Sequence, residues 1–415
     1  MESGRSRIGG RLDARCTIER HAEPMTPARG SRGRALLALH GATRHGVYLS
    51  SFDVLRALRP VVTERVVVLR HGGELEAEFR GEADRVEFES FRPLSSVLER
   101  SARTAAVKRR FGLDRIAARA TLRRMRPDVV YASNLGVLAY AATAVELGIP
   151  TILHVREISP RMESLNARWS LPELRSLRVV AVSRAAAAHY AEATGIDAAT
   201  IPIVPPAVDP EEVRRLAALD RAHLTDTGCC VVACGSARYA AKGFDHWVAV
   251  CDRVFREPDF SGRFIWVGEE PDERSGLVEE LVNDGKLHFT GALENPYPTL
   301  AAADVVVLPS RREGFSRVLA EAMALARPIV AFATGGVPEV LGDSGVLVAC
   351  DDVDAMAREV VRLTGDESAR FALGAKAVRR VQDLSLREVS ETNIRAVVSD
   401  CLEDSRWAPT KRRAS

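Results

Sequence analysis

A chain of 415 residues has room for two or three ordinary domains. Its 46% apolar and 27% charged residues suit a soluble globular protein, and a formal net charge of +2 gives the chain as a whole no pull toward nucleic acid. Its seven cysteines contain no C-x-x-C pair and imply neither a disulfide framework nor a zinc module; Cys229, Cys230 and Cys234 read as small apolar residues of a buried strand.

Residues 1–33 are rich in Arg and Gly and carry no apolar stretch of signal-peptide length, so they read as a disordered tail. From residue 34 onward short apolar, β-branched runs alternate with longer amphipathic stretches. ALLAL (35–39) precedes a helical stretch from Tyr48 to Leu58, and VVVL (66–69) follows. The run Arg100–Arg126 is dense in cations, among them Lys108, Arg109, Arg110, Arg115, Arg119, Arg123 and Arg124. Such a face suits either solvent or an anionic membrane surface. VVY (129–131) leads into a helix from Gly136 to Leu147, and TILHV (151–155), VVAV (179–182) and IPIV (201–204) complete a first α/β domain over 34–205.

A Pro- and Asp-rich linker spans 206–227, and the alternation then restarts over 228–385. CVVAC (230–234), FIWV (264–267), LHF (287–289), VVVL (305–308), IVAFA (329–333) and GVLV (345–348) are the predicted strands, with helices between them. A helix over 386–404, packing back on the first domain, and a basic tail over 405–415 close the chain. The longest apolar stretch, Leu135 to Val145, is too short to span a bilayer, so the expected location is the cytoplasm, including the membrane periphery. The predicted fold class is α/β, with two facing Rossmann-like, doubly wound domains and a cleft between them.

Open parallel sheets bind ligands beyond the carboxyl ends of their strands. The loop HGATRHG (40–46) places Gly41 and Gly46 between a strand and a helix, where backbone amides can approach an anion or simply make a tight turn. In HVRE (154–157), His154 and Arg156 share one face at a strand end. In GSARYAAKGF (235–244), Arg238 and Lys242 sit in a Gly-flanked loop that suits a diphosphate. VVVLPSRREGFSRVLAEAMA (305–324) reads as strand, loop and helix. Glu313 lies in its loop, free amides run from Gly314 through Phe315, Ser316 and Arg317 to Val318, and Glu321 falls about one turn into the helix. ATGGVPEVL (333–341) supplies two glycines for close approach and a first turn containing Pro338 and Glu339.

These residues resemble a family. Glu313 and Glu321 in EGFSRVLAE match the E-x7-E motif of family-4 retaining glycosyltransferases with the GT-B fold. KGFD (242–245), FIWVG (264–268), FTGALENPYPTLAAADVVVLPS (289–310), EGFSRVLAEAMALARPIVAFATGGVPEVL (313–341) and AVSRAAAAHY (181–190) are similar to it as well. The resemblance implies a nucleotide diphosphate sugar as co-substrate, no metal and no other cofactor. Arg238 and Lys242 would hold the diphosphate, with the amides after Glu313 and the loop at Gly46. Glu321 would take the ribose hydroxyls, and backbone near Thr290, Gly291 and Leu293 the base. Glu313 would contact the transferred sugar, with His154 and Arg156 as further catalytic candidates. A glycan or lipid-linked molecule would be the acceptor.

The chain departs from the family pattern at three places. Arg156 stands where many members have a histidine. Pro206-Ala207-Val208-Asp209 replaces the usual Asn-Gly-Val-Asp, and Arg238 and Lys242 lie closer together than in many members. A catalytically silent sugar-nucleotide or glycan binder on the same scaffold is the alternative from another class.

Overall fold

The computed structural model describes residues 33–90, 113–159, 162, 177–219 and 229–404. The terminal tails, residues 220–228 of the linker and Arg100 to Gly112 of the basic stretch lie outside the described residues. The first sheet contains β1 (Arg34–Leu39), β2 (Glu64–Leu69), β3 (Arg85–Phe88), β4 (Val129–Ala132), β5 (Thr151–Val155) and β6 (Arg178–Ala181). They lie in the order β3-β2-β1-β4-β5-β6, with every pairing parallel. The second contains β7 (Cys229–Cys234), β8 (Gly262–Val267), β9 (Leu287–Gly291), β10 (Val305–Leu308), β11 (Ile329–Phe332) and β12 (Val346–Val348). Its order is β12-β11-β10-β7-β8-β9, again all parallel. Read from the opposite edge this is the same winding, so strand order reverses between β1 and β4 in one sheet and between β7 and β10 in the other. Those are the points where doubly wound sheets open a crevice.

The inner strands bury both faces, which is why the sequence shows continuous apolar runs there rather than alternation. In the first sheet Leu36, Ala38, Val66, Val68, Val130 and Leu153 face one core, while Leu37, Leu39, Val67, Leu69, Tyr131 and Ile152 face the other. In the second, Cys230, Val232, Ile265 and Val306 pack on one side, and Val231, Ala233, Phe264 and Trp266 meet Trp247 on the other. The cysteines of β7 are free thiols in a packed strand.

Two strand expectations need correction. β3 was not legible, because RVEF is an edge strand with a single buried apolar residue, Val86. IPIV (201–204) is no strand: it makes one isolated bridge, Ala181 to Ile203, since Pro202 has no N–H to extend a ladder. The helix expected from Tyr48 begins two residues earlier and spans Gly46–Leu58.

The final helix, Leu386–Glu403, crosses between the halves. Leu386 joins a core of the second sheet, whereas Ile394, Val397, Val398 and Cys401 join a core of the first. Arg387 donates to Asp209 Oδ2 at 2.6 Å, and the other oxygen of Asp209 caps the helix Pro210–Ala217 through the amides of Glu211 and Glu212. The departure at 206–209 therefore keeps its aspartate for a capping task. Among the described residues no helix is long and apolar enough to cross a membrane.

His154 ties this scaffold together. It is 1% exposed; its Nε2–H donates to the Val204 carbonyl at 3.0 Å, and its Nδ1 accepts from the Tyr131 hydroxyl at 2.8 Å. Burial, with the charge of Arg156 nearby, pushes the imidazole well below its usual range, so it is neutral in the fold.

Two outcomes follow. Ile394→Ala should lower stability to urea by about 2–4 kcal/mol, the loss expected for emptying a packed core site; an unchanged midpoint would mean that the last helix is dispensable. The unfolded chain protonates His154 below the ordinary imidazole value of 6.5 whereas the folded chain does not, so this residue's contribution is intact above that pH and is lost as pH falls through it. The pH dependence of stability between 7.5 and 5.5 should therefore be shallower in His154→Gln, by up to about 1.4 kcal/mol per pH unit. Equal slopes would show that the imidazole titrates in the fold.

Candidate active site

The loop from Pro309 to Ser316 leaves β10 at the point where strand order reverses and enters the helix Arg317–Ala324. Ser316 is the cap position of that helix, and no side chain caps its first turn. Glu313, 6% exposed, accepts from Lys242 Nζ at 2.7 Å. Lys242 arrives from the loop after β7, the strand beside β10. Gly243, at φ +66°, makes that arrangement feasible: a Cβ there would lie 1.9 Å from the Pro309 carbonyl oxygen. The two loops are further tied by Arg311, whose amide donates to the Ala241 carbonyl at 2.9 Å and whose guanidinium forks onto Asp245 at 2.7 and 2.5 Å.

The first sheet meets this loop directly. A Cβ on Gly314 would lie 2.4 Å from the Arg156 carbonyl, just beyond β5, so only glycine fits that contact. Ser183 Oγ donates to the Gly314 carbonyl at 2.6 Å while accepting from Ala186 N as cap of its own helix, Arg184–Thr194. Glu339, read from sequence as a first-turn residue of its own helix, also reaches across. Its carboxylate accepts the Arg184 and Ala185 amides at 2.9 and 2.7 Å, placing negative charge at the positive end of a helix belonging to the other sheet. Phe315 packs against cores of both sheets.

Buried charges line the same seam. The Arg317 guanidinium lies 3.4 Å from Glu321 Oε1 and donates to Ser50 Oγ and Asp53 Oδ2 at 3.2 and 3.4 Å, joining the Arg317 helix to the Gly46 helix. Asp53 also accepts the Ala207 amide at 3.0 Å, and the Tyr297 hydroxyl donates to Glu321 at 3.4 Å. Burial pushes the Asp53 carboxyl up, against the pull of Arg317. Burial disfavours the charge of Arg317 too, but Asp53 and Glu321 more than offset it and hold its pKa above the usual value. A Cβ on Gly46 would stand 3.6 Å from Arg317 Cδ, so the uncapped start of the Gly46 helix faces the start of the Arg317 helix.

The predicted residues thus divide. Lys242, Glu313, the run Gly314 to Val318, Glu321, Gly46 and Arg156 converge on one seam between the sheets. Arg238 turns outward, toward the Glu270 carbonyl at 3.2 Å and Asp272 Oδ1 at 2.9 Å. Thr290 and Gly291 end β9, where the Gly291 carbonyl accepts from Gly268 N at 2.9 Å, and Leu293 packs against the same core as Tyr297, Phe315 and Val318. His154 lies apart, with both nitrogens engaged. In the described part of the basic stretch, Arg115 and Arg119 pair with Glu146, and Arg124 pairs with Glu87. Sequence reasoning missed Ser50, Asp53, Ser183, Glu339 and Tyr297 as members of the seam. The one available signal was SSFD (50–53), polar residues on the buried side of an otherwise apolar helix.

Comparison with known proteins treats the two halves of the chain separately. Residues 53–212 match the family model described as Glycosyltransferase Family 4, and residues 228–366 match that of Glycosyl transferases group 1. A lipopolysaccharide core biosynthesis glycosyltransferase of Rhizobium meliloti is 30% identical over 168 residues, 39% of this chain and 48% of that protein. The N-acetyl-α-D-glucosaminyl L-malate synthase of Bacillus anthracis is 29% identical over 152 residues, 36% of this chain and 40% of that protein. The chain thus matches less than half the length of either relative. Among solved structures, sucrose-phosphate synthase of Thermosynechococcus elongatus superposes with TM-score 0.68 at 18% identity, over 90% of this chain and 99% of that one. Anabaena HepE in complex with UDP superposes with TM-score 0.63 at 19% identity, over 89% and 99%. In architecture the chain is a two-domain, Rossmann-like GT-B protein, and both of its halves match models of glycosyltransferases.

Proposed function

We propose that the protein is a retaining glycosyltransferase that moves a sugar from a nucleotide diphosphate sugar to an acceptor hydroxyl. The observation that carries this reading is the Lys242–Glu313 pair at the uncapped start of the Arg317 helix, facing the uncapped start of the Gly46 helix across the seam. A departing nucleoside diphosphate builds negative charge on its oxygens, and two helix starts and an ammonium group are fixed where they can stabilise it. In this reading the diphosphate takes Lys242 from Glu313, Arg238 swings in from Asp272, and the amides of Gly314 to Val318 and of Gly46 complete the cradle without a metal ion. Glu321 receives the ribose hydroxyls, and the chain at Thr290, Gly291 and Leu293 borders the base.

Glu313, released from Lys242, faces the transferred sugar. The acceptor hydroxyl enters on the leaving-group side, which gives retention at the anomeric carbon. Closure of the two domains excludes water as a competing acceptor. His154 serves as a positioning residue for β5. Similarity to a lipopolysaccharide core biosynthesis glycosyltransferase of Rhizobium meliloti favours a glycan or lipid-linked acceptor.

Lys242→Met and Glu313→Gln should each slow transfer or donor hydrolysis by about 10²–10³-fold, the loss typical for one fixed electrostatic contact. Glu321→Gln should chiefly weaken nucleotide affinity. Turnover and titration with UDP-, GDP- and ADP-sugars read these effects, and full activity in all three variants would remove the assignment. Product NMR should show the donor's anomeric configuration preserved. We also propose peripheral contact with anionic membranes through Arg100–Arg126. Salt-sensitive co-sedimentation with phosphatidylglycerol vesicles, and not with phosphatidylcholine vesicles, is the expected result; equal recovery with both would refute it.

A further inference from the structure

We propose that Arg156 is a specificity residue that holds a carboxylate carried by one of the sugars in this site, either the transferred sugar or the acceptor. This rests on the glycosyl-transfer reading and narrows its substrate class to acidic sugars.

Arg156 is 8% exposed. Among the described residues its hydrogen bonding amounts to one long contact, Nη2 to the Ser50 carbonyl at 3.4 Å, and its buried Nε has no partner. Among the described residues no carboxylate lies within ion-pair distance of it. Asp53, the acid whose field reaches it, is bonded to Arg317 and Ala207 instead. Leaving a desolvated guanidinium so poorly satisfied is expensive unless something else completes it.

Its place identifies what that something is. The Arg156 backbone touches Gly314, the neighbour of Glu313, while its side chain reaches the first turns of the Gly46 helix. Ser50 is flanked on two sides: its carbonyl accepts from Arg156 and its hydroxyl accepts from Arg317 of the other sheet. The guanidinium therefore sits in the seam on the first sheet's side, whereas Lys242 and Arg238 belong to the second sheet. A diphosphate gripped from the second sheet leaves Arg156 for a different negative group. A planar fork with a free Nε–H suits a carboxylate, which it can grasp with two parallel bonds. A neutral sugar offers only hydroxyls and leaves the charge stranded, so the site should reject it relative to its uronic acid counterpart. His154, fixed on both ring nitrogens two residues earlier on the same face, gives Arg156 a rigid base.

Calorimetric titration of the full chain with UDP, GDP and ADP identifies the nucleotide that binds. One arm then compares the glucuronate and glucose conjugates of that nucleotide. The other adds methyl glucuronide or methyl glucoside to protein saturated with it. The acid should bind at least about tenfold tighter than the neutral sugar in one arm, and which arm does so tells whether donor or acceptor carries the charge. Arg156→Gln should abolish that preference, Arg156→Lys should keep part of it, and affinity for the bare nucleotide should be the same in all three proteins. Nucleotide binding without acid preference in either arm, or a preference that survives Arg156→Gln, overturns the proposal while leaving the donor site standing. Failure of every nucleotide to bind defeats the donor reading itself, and this proposal with it.

Discussion

The contact between Gly314 and the Arg156 carbonyl governs the arrangement of the whole molecule. It brings the loop after β10 against the end of β5, and therefore one sheet's crevice against the other's. Several cross-links share that closeness. Ser183 can bond the Gly314 carbonyl, Glu339 can cap a helix it does not belong to, and Phe315 can fill a gap between two cores. Any side chain at 314 would force the backbones apart and weaken all of these together.

Charge placement in the seam is balanced pair by pair rather than in bulk. Lys242 answers Glu313, and Arg317 answers both Asp53 and Glu321. Lys242–Glu313 and Arg317–Asp53 join groups from different elements, while Arg317–Glu321 is a pair within one helix, so the acids that a ligand would meet already face cations. Arg156 alone among these cations has no acid of its own at bonding distance among the described residues.

Much of this architecture was legible because buried parallel strands announce themselves as apolar runs, and because the loops after β1, β7 and β10 carry glycine and charge together. The two edges failed for physical reasons: RVEF has too little apolar surface to look like a strand, and IPIV looks like one although Pro202 cannot support a ladder. At the site, Lys242, Glu313 and Glu321 were visible from residue type and position after a strand. Asp53 and Glu339 were not, since their partners, Arg317 and the amides of Arg184 and Ala185, lie more than 150 residues away in the chain. His154 misled for a related reason, as nothing local in TILHV reveals that the Val204 carbonyl and the Tyr131 hydroxyl occupy both of its nitrogens.

The path of the last helix bears on how the two halves move. Polypeptide passes between them once near Ala207 and again near Leu386, and Arg387 bonds Asp209 where the two passages run side by side. A single connector would act as a ball joint, free to swivel. Two adjacent connectors act like a paired door hinge: they resist twisting and confine any relative displacement of the lobes to one axis.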